Sequence, residues 1–165
     1  MVHVEREGRV AWVMLDRPPL NVMDIALLHE LMRRLAARME YRIGATTVDV
    51  GAAEALARGA GVCQDFAHIY VACCRALGVP ARYASGYLKQ DGPPHAGRHG
   101  HAWAEAHVPH LGWLGFDPAN GICATGEYLK LGVGLDYAEA APVTGRRIGG
   151  GEAVMEVDVQ VRHLG

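Results

Sequence analysis

An α+β fold is what this sequence predicts, and three observations carry the prediction. Residues 25–39 and 63–77 hold apolar side chains at helical spacing between cap signals. From residue 81 to residue 117 the pattern changes to the period of two that marks strands. Glycine supplies 21 of 165 residues, about 13% against a usual ~7%, an excess that suits turns and argues against a simple helix bundle.

The length is that of one domain with at most a small appendage. Half of the residues are apolar and 21% are charged, so a packed core can form. The net charge of −2, with no basic block, gives nucleic acid no electrostatic footprint. No apolar run reaches the roughly 18 residues of a membrane helix. The start, MVHVEREGRV, has two acids and no apolar h-region, so a signal peptide is not expected and the cytoplasm is the expected location. Cys63, Cys73, Cys74 and Cys123 form no C-x-x-C pair. Reduced thiols are expected, and the question becomes whether one of them is a nucleophile.

Taken in order, residues 2–7 and 9–16 around Gly8 read as a β-hairpin that Arg17-Pro18-Pro19 breaks. Asp24 is the expected N-cap of a helix over 25–39, with Ile25, Leu28, Leu31, Met32, Leu35 and Met39 on its apolar face. A polar turn around Gly44 leads to a short helix at 51–58. Gly59-Ala60-Gly61 opens the helix over 63–77, apolar around most of its circumference and therefore expected at the domain centre. Gly78 and Pro80 end it. Strands are expected at 81–88, 99–108 and 112–117, with a Gly/Pro loop at 89–98. In 99–108, His101, Trp103, Glu105 and His107 share one face, and Ala102, Ala104, Ala106 and Val108 the other. A Gly-rich stretch, 144–151, precedes a last expected strand at 153–162.

Cys63 stands at the start of the central helix, where free backbone N–H groups and the positive end of the helix dipole favour an anion. The same N–H groups suit a developing oxyanion. A thiolate nucleophile needs a base, and the base an orienting group. His101 follows 38 residues later, flanked by Gly100 and Ala102, and Asp117 ends the next strand, 16 residues further on. Adjacent antiparallel strands bring such residues within ~5 Å, so a Cys–His–Asp arrangement is reachable.

The local words sharpen this. They are GVCQDFAH (61–68), RALGVPARYASGY (75–87), HAWAE (101–105) and GWLGFDPANG (112–121). Their series resembles the bacterial transglutaminase-like superfamily, a papain-like group of cysteine enzymes, over residues 41–165. The resemblance implies a nucleophile-bearing helix packed on an antiparallel sheet. It implies Cys63 as nucleophile, His101 as general base and acid, and Asp117 as the group that orients His101. It further implies attack on a peptide or protein amide carbonyl, giving a thioester that water or an amine resolves: a protease, amidase or transamidase. No organic cofactor is implied, and no acidic stretch resembles a calcium loop. The alternative, from another class, is a non-catalytic peptide-binding or assembly module that keeps the fold.

The first 30 or so residues resemble a different family. Val10 to Asp24 (VAWVMLDRPPLNVMD) is similar to the start of an enoyl-CoA hydratase (crotonase) protein. That family needs far more chain for its CoA pocket, so its chemistry is not expected. The expected division is an N-terminal hairpin and helix, residues 1–40, before a core at 41–165. Exposed hairpin edges leave a homodimer open.

The remaining candidates weigh as follows. Cys73 and Cys74 read as core packing, and Cys123 as a small buried or loop residue. His68 reads as a satisfied helix histidine. His95, His99 and His101 lack the companions of a metal motif, and no metal is expected. Asp65 reads as a charge on the first helical turn. Trp103 shares the face of His101 and either walls a substrate groove or fills the core. Gln64 is a candidate oxyanion donor, although the Cys63 backbone N–H is the better placed one. Asn120 reads as a turn residue.

Overall fold

The computed structural model describes residues 2–7, 10–15, 24–47, 50–89 and 100–143. Arg17-Pro18-Pro19, most of the loop at 89–98 with His95, the adjoining His99, the Gly-rich 144–151 and the expected strand at 153–162 lie outside the described residues.

Strands β1 (Val2–Glu7) and β2 (Val10–Leu15) pair antiparallel as the expected hairpin, with Val4 opposite Val13. Helix α1 (Ile25–Arg38) begins where Asp24 Oδ1 accepts the Leu27 N–H at 3.0 Å, an N-cap bond to an amide with no intrahelical partner. Its buried stripe is Leu27, Leu28, Leu31, Met32 and Leu35. Helix α2 (Ala52–Arg58) ends at Gly59 in the left-handed conformation, φ +68°.

Two strands too short for any periodicity, β3 (Glu40–Tyr41) and β4 (Ala60–Gly61), pair in parallel. They clamp the chain just after α1 to the chain just before helix α3 (Cys63–Ala76). The main sheet has five antiparallel strands in the order β8-β7-β6-β5-β9. These are β5 (Ala81–Leu88), β6 (His101–Val108), β7 (Gly112–Asp117), β8 (Ile122–Cys123) and β9 (Tyr128–Gly134). A one-turn helix, α4 (Tyr137–Ala140), lies against β9.

The alternation of β6 explains the packing. Ala104, Ala106 and Val108 join α1 and α3 in one apolar core with Phe66, Tyr70 and Phe116. Small side chains on the strand let the helix come close to the sheet. Tyr70 stacks on Phe116 with ring centroids 5.6 Å apart, and its hydroxyl donates to the Leu28 carbonyl at 2.9 Å, tying α3 to α1. Helix α3 is less enclosed than its composition suggests: Ala72, Arg75 and Ala76 are exposed, and Cys73 is half-buried. Alanine and cysteine carry too little apolar area to force a helix face inward.

The other face of the sheet carries a polar cluster. Glu105 accepts from Arg82 Nε at 2.7 Å and from Lys130 Nζ at 2.6 Å, and the Arg82 guanidinium lies 4.2 Å over the Trp113 ring. Pairing with two cations lets this carboxylate sit almost entirely buried.

Candidate active site

The N-terminus of α3 is built by its flanks. Asp65 Oδ2 accepts the Val62 N–H at 2.8 Å and the Thr46 hydroxyl, so the carboxylate folds back over the helix start. A Cβ on Gly61 would stand 2.6 Å from Asp65 Oδ2, which is why the approach strand needs glycine there. The Asp65 and Phe66 amides bond to the Val62 carbonyl. Cys63 and Gln64 precede them, and their amides have no intrahelical acceptor. Cys63 and Gln64 are both half-buried at this end of the helix.

His101 starts β6 opposite Gly86 on β5. A Cβ at Gly86 would meet the Leu129 carbonyl oxygen at 1.9 Å, so only glycine allows the close approach of β9 at this position. The β6–β7 register, Ala104 opposite Phe116, carries Asp117 to the same end of the sheet. His101 Nε2 lies 2.6 Å from Asp117 Oδ2. The Cys63 thiol acts on the same imidazole and helps to raise its pKa. With Nε2 turned to the carboxylate, Nδ1 is the ring nitrogen left for sulfur. Asp117 and His101 are thus bonded across two strands, and Cys63, on a third element, is coupled to the same imidazole.

Asp117 is fully buried and thoroughly partnered. Oδ2 also accepts from Asn120 Nδ2 and from the Tyr128 hydroxyl, both at 2.7 Å. Oδ1 accepts the Ala119 and Asn120 amides at 3.0 and 3.2 Å. Burial alone would raise its pKa, but the bonds from His101, Tyr128 and Asn120 hold the carboxyl below the usual carboxylate range. Burial likewise disfavours the His101 cation. The hydrogen bonds and charges of Asp117 and Cys63 outweigh it and push the imidazole up to about 9. Burial, followed by the adjoining Asp117, raises the Tyr128 phenol, so it stays a proton donor.

Trp103 is 2% exposed. It stacks near His101 at 6.3 Å and meets Tyr128 edge-on at 5.3 Å, so it backs the imidazole rather than offering a surface. Gln64 adjoins Cys63 on the second residue of α3. Asn120 is in the turn after Asp117, as expected, and its side chain also serves the carboxylate. His68 accepts the Tyr137 N–H at 3.1 Å and packs on Tyr83 at 4.5 Å, and burial lowers its pKa. Sequence reasoning did not reach Tyr128. The signal lay in the period-two alternation of Leu129, Leu131, Val133 and Leu135, which marks a further strand. Among the described residues no group of three His, Cys, Asp or Glu side chains could hold a metal, and no helix is long and apolar enough to cross a membrane.

A protein from Mycobacterium tuberculosis, Rv2569c, itself uncharacterized, is 39% identical over 147 residues, covering 83% of this chain and 47% of the relative. The chain thus spans about half the length of the curated relatives it matches, 47% for this one. A crystal structure of a proposed cysteine protease from Cytophaga hutchinsonii superposes with a TM-score of 0.61 at 34% identity, over 69% of this chain and 37% of that one. LapG of Legionella pneumophila, at 19% identity and a TM-score of 0.50, shares the fold over 71% of this chain and 73% of its own. Residues 22–118, which hold α1, Cys63, His101 and Asp117, match the sequence profile of the transglutaminase-like superfamily. The chain belongs to that superfamily.

Proposed function

We propose that this chain is a cysteine-dependent acyl-transfer enzyme that acts on amide or peptide bonds through a thioester. One observation supports the reading above the others: a single imidazole bonded to a buried carboxylate and raised in pKa by a helix-start thiol as well. In this reading Cys63 Sγ attacks the carbonyl carbon. The negative charge that develops on oxygen falls near the unpaired amides at the start of α3. His101, protonated through the neutral range, gives its proton to the leaving amine as the C–N bond breaks. Asp117 holds the ring and stabilises the imidazolium.

The second half of the cycle follows from the same forces. Cys63 contributes to the raised pKa of His101, through its hydrogen bond and its charge. Acylation removes both contributions. The imidazole then becomes a better base for drawing a proton from water or an amine, which releases the acyl group. Either acceptor satisfies this chemistry, so the reading covers protease, amidase and transamidase.

A fluorogenic peptide-amide library, screened with and without hydroxylamine, tests the reading. Turnover that disappears in Cys63→Ala is the expected result. Turnover that survives in that variant contradicts the mechanism, and an inert Cys63 in the parent leaves the binding-module reading.

A further inference from the structure

Tyr41 has no part in the contacts described so far. It lies on β3, opposite Gly61 of β4, and Gly61 precedes Cys63 by two residues. The Arg42 N–H donates to the Gly61 carbonyl at 2.9 Å and fixes this pairing. The Tyr41 ring leans on Phe66 at 6.3 Å, and Phe66 follows Cys63 by one helical turn, on the same face of α3. Tyr41 is thus held against both ends of the segment that presents the thiol.

Three tyrosines feel the charge of Cys63 or Asp117, and they differ in what their hydroxyls can do. Tyr83 is 1% exposed beneath His68. Tyr128 is committed to Asp117. Tyr41 alone of the three feels both charges, is 49% exposed, and has no hydrogen-bond partner for its hydroxyl among the described residues. Burial, then those two charges, raises the phenol, so it keeps its proton throughout the neutral range.

We propose that the Tyr41 hydroxyl is the side-chain donor to the oxyanion formed when Cys63 attacks a carbonyl, facing the same oxygen as the Cys63 amide. This rests on Cys63 being the nucleophile. As the Sγ–C bond forms, the carbonyl π pair moves to oxygen, and Tyr41 and the amide each donate to it. When the intermediate collapses, the pair returns, the C–N bond breaks, and His101 supplies the proton to the amine. The donor contributes only while the oxygen carries charge, so it accelerates the step rather than merely binding substrate.

Two thiol probes separate this role from any effect on the thiol itself. Acylation by 4-nitrophenyl acetate passes through a tetrahedral oxyanion. Alkylation by iodoacetamide displaces iodide at a tetrahedral carbon and forms none. Tyr41→Phe keeps the ring against Phe66 and removes only the hydroxyl. The expected result is acylation of Cys63 slowed by roughly tenfold or more, with alkylation unchanged. Acylation at the parent rate overturns the proposal, as does an equal fall with both probes, which would place Tyr41 on the thiol. A parent protein in which neither probe prefers Cys63 overturns the nucleophile reading, a result visible before any variant is made.

Discussion

Two cysteine–histidine pairs among the described residues are not alike. At one end of the sheet, His101 is bonded to Asp117 and raised in pKa by Cys63 as well. Elsewhere, Cys123 Sγ on β8 lies 3.5 Å from His29 Nε2 in the middle of α1. Cys123 sits opposite Phe116 on a two-residue strand, and the His29 ring stands edge-on to Phe116 at 5.8 Å. The hydrogen-bond contact of His29 among the described residues is with this sulfur, and Cys123 lies on a strand and heads no helix. Burial pushes its thiol up. What separates the two is the buried carboxylate bonded to His101 and the helix start that carries Cys63.

Substitution at the two sulfurs breaks the comparison most sharply. Cys63→Ala should lower kcat/KM for amide turnover by on the order of 10⁴-fold or more, as loss of a nucleophile does, while Cys123→Ala leaves it unchanged. Steady-state kinetics on both variants measures the contrast.

The carboxylate comes next. Asp117→Asn should cost about 10³- to 10⁴-fold in kcat, because an amide no longer selects the His101 tautomer or stabilises the imidazolium. The pH profile carries a second signature. His101 is raised from 6.5 to about 9, so its acid form, and the activity that needs it, persists up to that pH and is lost above it. In Asp117→Asn the alkaline limb should move down toward 6.5. The same shift links to stability. The contribution of His101 is complete below about pH 6.5 and disappears as pH rises through about 9.

Tyr128 sharpens the comparison at smaller amplitude. Tyr128→Phe removes one of three donors on Asp117 Oδ2 and should cost about 1 kcal/mol of stability, read by denaturant unfolding. The corresponding contact at the second pair, lost in His29→Phe, should cost less, since a Cys–His contact without a charged partner is a weak bond.

The parts of this architecture differ in how openly the chain declares them. Asp24 and the Leu28–Leu31–Leu35 spacing announce α1, because cap chemistry and helical period are local. The alternation in HAWAEAHV announces β6 and even its alanine face. Cys63, His101 and Asp117 were visible as residue types at element ends, with the motif words adding their order. Tyr128 was not, because β9 is interrupted by Gly132 and Gly134, whose missing side chains make room for α4 and blur the strand signal. Nor was Tyr41. Its placement depends on a two-residue parallel bridge between segments 20 residues apart, and no local pattern encodes such a contact. Where side chains converge from separate elements, only the fold brings them to view.

The central claim, that one cysteine of four is chemically distinct, is tested most directly by mapping iodoacetamide alkylation at pH 7 by mass spectrometry. Burial pushes the Cys73 and Cys74 thiols up to about 11 and about 12, so these should react slowest, with Cys123 between them and the helix-start thiol. Cys63 modified at least about tenfold faster than any other cysteine is the predicted result. Equal labelling of all four, or Cys123 reacting first, would contradict the account.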